Sequence, residues 1–413
     1  MSIKFVLAIL FFPYFVFADA QVKSSTGSIL ACTPPMGWMS WNNFSDHLKE
    51  KDIHEIADAM VKSGMLEAGY QYIFIDDGWQ GGRDNRNNII PDYTKFPSGM
   101  KALSEYLHSR GLKLGIYSDA AQTTCAGYTG SLNFETQDAQ TFASWGIDYL
   151  KYDYCSAPND SATAKIRYKA MAEALRNSGR DIVFGVCEWG GRQPWKWAAN
   201  IGGQVWRTTG DIRDKWKNKT DGTNADSGGY GILDILDSNA DLANYAGPGR
   251  WNDMDMLVVG MYGKKGPSSD LGGVGCTAIE YQSQMSIWSM MSSPLAASND
   301  IRFMNDETKN ILLNKEVIAL NQDKLGSQSV RKINNKMWNV FTKQLANGDC
   351  ALAILNKSEV PLEYSILFSD IGLTGKYEIR DVWTHSITGK DKKWKGRVLS
   401  HETKVLRLKK ISR

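Results

Sequence analysis

From residue 35 to about 320, short apolar, aromatic or β-branched runs alternate with stretches whose apolar positions recur at helical spacing. Met36-Gly-Trp-Met-Ser-Trp41 opens the series. A helix over Asp52 to Ala68 follows, with Ile53, Ile56, Ala57, Met60 and Val61 on one face. Then come strand Tyr70 to Asp77, helix Met100 to Ser109, strand Lys113 to Tyr117, and a helix around Thr136 to Trp145. Strand Tyr149 to Cys155, helix Ala162 to Asn177, strand Ile182 to Glu188, a short helix near Trp195 and strand Val205 to Asp211 continue the alternation. The last units are helix Ile232 to Ala246, strand Arg250 to Leu257, helix Ala278 to Met290, the apolar segment Ser293 to Ala297, and helix Glu307 to Leu320. Eight strand-then-helix units predict an α/β fold of the (β/α)8 TIM-barrel type, because parallel strands need long right-handed crossovers. An open doubly wound sheet is the competing arrangement, but no Gly-rich phosphate loop follows the first strand.

Beyond Gln322 the pattern changes to short alternating runs, Met337 to Phe341, Cys350 to Leu355, Tyr377 to Trp383 and Thr403 to Leu408, separated by Asn-Gly, Thr-Gly and Lys-Gly turns. That pattern predicts a C-terminal antiparallel β-sandwich. The expected division is therefore a catalytic barrel over 21–323 and a β domain over 324–413. Trp338 and Trp383 are expected in the core of the second domain.

Composition narrows the field. Net charge is +3 and no Lys/Arg block exceeds three residues, which argues against nucleic acid or an anionic membrane surface as a partner. Residues 1–20 have the form of a cleavable secretory signal: Lys4, an apolar stretch from Phe5 to Phe17, then Ala18-Asp19-Ala20. The apolar run is shorter than the ~20 residues a membrane span requires, so a secreted or periplasmic chain is expected, with no membrane association after signal removal. Six cysteines allow one or two disulfides in such a chain, and five scattered histidines with no CxxC or His-x-His spacing argue against a zinc site or a His-dependent triad.

In a barrel the C-terminal strand ends carry the chemistry. Here they deliver Trp41; Asp76 and Asp77; Tyr117 and Asp119; Lys151, Asp153 and Cys155; Cys187, Glu188 and Trp189; Arg207 and Asp211; Asp253 and Asp255. Any one of these acids, taken alone, also fits the common role of Asp as cap of the helix that follows it. Carboxylates on so many strand ends describe an acidic cup with aromatic walls and two cations. Aromatic rings stack on the C–H face of a sugar, while carboxylates, Lys and Arg satisfy its hydroxyls. Lys151 and Arg207 would repel a divalent cation, so no metal and no cofactor is expected. Two carboxylates flanking a glycosidic bond are the minimal machinery of glycoside hydrolysis. Lys151 should hold Asp153 ionised, as a nucleophile requires, and Asp211 on a looser turn can exchange protons as acid and base.

Thr33-Pro-Pro-Met-Gly-Trp-Met-Ser-Trp41, Ile75-Asp-Asp-Gly-Trp79, Lys151-Tyr-Asp-Tyr-Cys155, Cys187-Glu-Trp189, Trp206-Arg-Thr-Thr-Gly-Asp211 and Trp251-Asn-Asp-Met-Asp-Met256 together resemble glycoside hydrolase family 27, whose best-known members are the α-galactosidases, or melibiases. The resemblance runs from about residue 30 to the C-terminus. It implies a retaining, exo-acting α-galactosidase with Asp153 as nucleophile and Asp211 as acid/base. It also implies that Asp76 and Asp77 grip the 4- and 6-hydroxyls of galactose. Lys151 and Arg207 would serve as cationic hydroxyl ligands, Trp41, Tyr117, Glu188, Trp189 and Asp255 would line the pocket, and Cys125 would pair with Cys155 beside the nucleophile.

Within that family, members accepting N-acetylgalactosamine carry small residues where Glu188 stands, and β-L-arabinopyranosidases often enlarge the position of Asp77. Both residues here favour galactose. The remaining alternatives are those two activities and a non-catalytic sugar-binding barrel. Met254, the Gly190-Gly-Arg-Gln193 loop and the Gly263 to Gly275 insertion depart from the family pattern on the side where a leaving group would sit.

Overall fold

A computed structural model describes residues 29–218, 229–263 and 274–411 of the chain. Eight parallel strands form its first part: β1 (Met36–Met39), β2 (Tyr72–Phe74), β3 (Lys113–Asp119), β4 (Tyr149–Asp153), β5 (Val183–Val186), β6 (Val205–Arg207), β7 (Trp251–Asp253) and β8 (Leu295–Ala297). They pair in sequence order, and β8 pairs back onto β1. Leu257, just beyond β7, bridges Ala297 in parallel and donates its N–H to Ala296 O at 2.7 Å, which closes the ring. The predicted signal segment and most of the Gly263 to Gly275 insertion lie outside the described residues. Among the described residues no helix is long and apolar enough to cross a membrane.

The helices behind the strands follow the apolar periodicity. In α1 (Glu50–Lys62), Ile53, Ile56, Ala57 and Met60 are fully buried, one face of a helix pressed on the sheet, whereas Val61, expected on that face, is exposed one position beyond its edge. Each large apolar side chain so removed from water contributes about 1.5–3 kcal/mol. Inside the ring, Phe74 and Tyr149 meet edge to face with centroids 4.9 Å apart. A Cβ at Gly185 would overlap the Tyr149 hydroxyl, so this position on β5 stays bare to let the ring in.

Three predicted helices are shorter than their apolar patterns. The stretch from Asp52 stops at Lys62, and a separate turn of helix, Met65–Ala68, follows Gly64 with its φ of +85°. The stretch from Ile232 is helical only to Asn239, because the Gln328 and Asn252 side chains donate to the carbonyls of Asn239 and Leu242 at 3.0 Å. The Glu307 to Leu320 stretch splits into Asp306–Leu312 and Lys315–Asn321, broken where the Asn314 side chain accepts from Glu316 N and Val317 N. A hairpin that the hydrophobic pattern did not announce, Gln80–Arg83 with Ile89–Pro91, follows β2.

The second part is antiparallel, with β9 (Val330–Asn334), β10 (Trp338–Gln344), β11 (Cys350–Asn356), β12 (Leu362–Leu367), β13 (Tyr377–Asp381), β14 (Ser386–Asp391), β15 (Lys393–Val398) and β16 (Thr403–Lys410). Six of these make a sheet in the order β9-β10-β11-β16-β13-β14, and β12 with β15 cover one face of it. Trp338, Leu352, Ile354, Ile366, Phe368 and Leu406 fill the space between them. Trp383 is not in that core. It packs on the barrel side and donates its indole N–H to Ser286 Oγ at 2.9 Å. Ser286 belongs to the helix Ala278–Met290, which is buried on nearly every side because the barrel lies on one face and the β domain on the other.

Candidate active site

Register across the barrel places the chemistry. Tyr117 of β3 pairs with Lys151 of β4, and Asp119 pairs with Asp153, so two acids meet at the ends of neighbouring strands. Strand alternation sends Lys151 and Asp153 to the same side. A pocket of about 480 Å³ opens above them, lined by Trp41, Asp76, Asp77, Tyr117, Lys151, Asp153, Trp189, Asp211 and Asp255 among the expected residues. Asn42, Cys125, Arg213 and Met256 complete its wall. Of these, Arg213 was legible in principle, since it stands two positions after Asp211 in an extended segment and shares its side.

On one side of the pocket, the Lys151 ammonium donates to Asp76 Oδ2 at 2.7 Å and lies 5.2 Å from the centre of the Tyr117 ring. Burial opposes the Lys151 charge, but Asp76 and neighbouring groups outweigh it and raise its pKa. Asp77 accepts from Gly78 N and Ala126 N, both at 2.8 Å, while its own burial pushes its pKa up to about 6. The Cys125–Cys155 disulfide stands beside this wall, and the Tyr117 hydroxyl donates to Cys125 Sγ at 3.2 Å. Cys32, Cys187, Cys276 and Cys350 are free.

On the opposite side, Arg207 is buried behind the pocket surface. Its Nη2 lies 3.1 Å from Asp211 Oδ1 and 2.9 Å from Asp255 Oδ2. Asp255 also accepts from Ile212 N and Met256 N at 2.8 Å, so both its oxygens are engaged. Asp255 and Trp189 hold φ values of +72° and +58°, conformations that persist only where surrounding contacts impose them.

Glu188 stands apart from this constellation. Its carboxylate is fully buried and accepts from Arg192 N at 2.9 Å and from Arg192 Nη1 at 3.0 Å. Arg192 comes from the unusual Gly190 to Gln193 loop and also donates to Asn159 at 2.7 Å, so that loop draws Glu188 away from the pocket wall.

The two acids at the centre differ in setting. The Asp153 side chain is buried, whereas that of Asp211 is 54 % exposed at the rim. Burial pushes the Asp153 pKa up to about 7, with Lys151 opposing it and Asp211 adding to it. At this carboxyl, then, withdrawal from water outweighs the Lys151 charge that was expected to dominate. Burial also acts on Asp211, but Arg207 and Lys151 outweigh it and hold the group below the usual carboxylate range. The one grouping among the described residues with metal-ligand spacing is Asp119, Cys125, Asp153 and Cys155. Two of its four members are joined as a disulfide, which leaves too few free donors for a structural ion.

A parallel barrel whose strand ends bring paired acids, a lysine and aromatic rings into one pocket is the frame of a glycoside hydrolase. Residues 33–323 match the family described as alpha galactosidase A, and residues 335–408 match an alpha galactosidase C-terminal beta sandwich domain. The chain therefore belongs to the melibiase family, glycoside hydrolase family 27. It is 47% identical over 346 residues to alpha-galactosidase A of Cellvibrio japonicus, covering 84% of this chain and 81% of that one. Alpha-galactosidase I from Mortierella vinacea is structurally similar with a TM-score of 0.85 at 34% identity, over 92% of this chain and 98% of the other. The α-galactosidase from Saccharomyces cerevisiae solved with raffinose gives 0.84 at 27% identity, over 94% and 99%.

Proposed function

We infer that the protein is an exo-acting α-galactosidase, removing terminal α-linked D-galactose from oligosaccharides, galactomannan or glycoconjugates by double displacement with retention. One observation carries this reading: a buried Asp153 and a half-exposed Asp211 open into the same pocket. The carboxylate fixed on the β4 end attacks the anomeric carbon and forms a glycosyl-enzyme. Asp211, in contact with solvent, protonates the departing oxygen and then takes a proton from the water that releases galactose. Asp76, Asp77 and Lys151 hold the sugar hydroxyls, with Trp41, Tyr117, Trp189 and Asp255 shaping the pocket and Arg207 steadying Asp211 and Asp255 from behind. The step needs no metal or cofactor. Galactoside hydrolysis by relatives, the raffinose-bound yeast enzyme among them, supports the substrate class. In this reading residues 1–20 are removed on export, and the boundary between catalytic and β domains lies near residue 324.

Asp153→Asn should abolish turnover of an aryl α-galactoside while leaving the fold intact. Near-native turnover in a folded variant would overturn the nucleophile assignment, and galactose binding without any turnover by the unaltered protein would make it a binding barrel. A panel of nitrophenyl sugars separates α-galactoside from N-acetyl-α-galactosaminide and β-L-arabinopyranoside. Because Glu188 is turned towards Arg192, the panel rather than that side chain decides the acetamide question.

A further inference from the structure

Two side chains beside Asp211 are not among those assigned above to the galactose hydroxyls. Arg213 lines the pocket at its rim. Tyr230 is tied to the same segment: its N–H donates to Asp211 O at 2.8 Å, and its carbonyl accepts from Arg213 N at 2.8 Å. Its ring lies over Gly210, where an added Cβ would come within 2.8 Å of Cε2, yet the residue is still 39 % exposed. Gly229 makes the matching space for the arginine, since a Cβ there would lie 2.8 Å from Arg213 Nε. Two bare backbone positions thus flank Asp211, one accommodating an aromatic ring and the other a guanidinium stem.

We propose that Tyr230 and Arg213 form a subsite for the leaving group, taking a neutral sugar whose ring stacks on Tyr230 and whose hydroxyls accept from Arg213. This rests on the reading of Asp211 as the acid that protonates the departing oxygen. The atom bonded to that oxygen must lie next to Asp211, where Arg213 stands two positions on and Tyr230 is held by its backbone bonds to the same segment and by its ring over Gly210. An aromatic face is the surface that holds the C–H side of a sugar, and a guanidinium presents several donors to hydroxyls without requiring an anion. An acidic sugar is disfavoured, because it would bring a second negative charge against Asp211.

The test compares two substrates that share the galactosyl group. Raffinose carries a sugar leaving group, and α-galactosyl fluoride carries none. Tyr230→Ala should lower kcat/KM for raffinose about five- to tenfold, largely through KM, and leave hydrolysis of the fluoride within about twofold. Tyr230→Phe should restore raffinose turnover. Tyr230→Leu keeps bulk over Gly210 without an aromatic face, and should reproduce the Ala result even if the smaller residue loosens the segment. Equal losses on both substrates, or no loss on either, would overturn the subsite. Failure of the fluoride to react with the unaltered enzyme would instead count against the hydrolase reading itself.

Discussion

Asp255, in the pocket wall, and Arg207, behind it, are joined at 2.9 Å, both withdrawn from solvent. The same guanidinium nitrogen reaches Asp211 at 3.1 Å. One buried cation therefore sits between a fixed carboxylate and an exposed one, and the two acids depend on it differently. Asp255 keeps two backbone N–H donors without it. Among the described residues, the Asp211 carboxylate is held by Arg207 and not by a backbone N–H.

Replacing Arg207 with Met should consequently act on stability and on activity through different acids. Leaving Asp255 buried without its cation should cost about 3–5 kcal/mol, read as a lower midpoint in urea. Asp211 should lose the main charge holding its pKa down, so its titration in the variant moves to higher pH. Carbon-13 spectra of labelled aspartate would show this directly, and an unmoved Asp211 would refute the dependence.

If Asp211 donates the proton to the leaving oxygen, its loss should matter in proportion to how much the leaving group needs one. Asp211→Ala should reduce kcat/KM for raffinose by about 10²–10⁴-fold. A dinitrophenyl galactoside, whose phenolate departs unassisted, should lose far less. Similar losses on both would remove Asp211 from the acid role and leave it only a binding one.

The barrel was legible because its strands are buried on both faces and read as apolar runs ending in acids, as at Tyr149 to Asp153. The site was legible for the same reason: strand ends converge whatever the loops do. What the pattern could not carry was competition from polar side chains, near or far in the chain. Asn314, Asn252 and Gln328 cut two helices short by bonding their backbone, and none of these lies in the apolar periodicity. Glu188 sits at a strand end like the others, yet Arg192, four residues on, turns it aside. Trp383 looked like sandwich core because aromatic residues usually are, but its partner is a serine on a barrel helix. The balance at Asp153 depended on how far burial outweighs one lysine, a quantity set by packing in three dimensions.

Lys343 gives a test of that same burial effect away from the pocket. It is buried in β10, and its ammonium nitrogen contacts Ser289 O at 3.0 Å and Ser292 Oγ at 2.7 Å, with no carboxylate in ion-pair range among the described residues. Burial pushes its pKa down to about 7. The unfolded chain therefore holds a proton that the folded chain lacks between about pH 7 and the ordinary lysine value, and stability rises with pH across that window. Lys343→Met should raise Tm by about 2–4 °C at pH 6, and the gain should shrink as pH rises through 7 towards 10. A gain that does not change with pH would mean that the lysine titrates alike in the folded and unfolded chain, and that burial does not shift it.

His401 should show the opposite slope, and it bears on how the β domain meets the segment carrying Asp211. Its ring stacks on Trp216 with centroids 4.8 Å apart, five residues beyond Asp211. Its Nδ1 lies 2.7 Å from Glu280 and its Nε2 3.3 Å from Glu359. Burial opposes its charge, but the two glutamates outweigh it and raise the pKa above the ordinary histidine value. A raised folded pKa means that the protonated imidazole stabilises the fold fully below about pH 6.5, and that this contribution is lost as pH rises through the folded value. His401→Gln should therefore lose about 1.5–3 kcal/mol at pH 5.5, the range for hydrogen bonds to charged groups, and progressively less above neutrality. Thermal melts of both proteins at pH 5.5, 7 and 8.5 give the comparison. Because Trp216 follows Asp211 in the same segment, the variant's kcat/KM on raffinose at pH 5.5 should fall with the loss of stability, whereas turnover unchanged at every pH would show that the β domain holds this segment without orienting the acid.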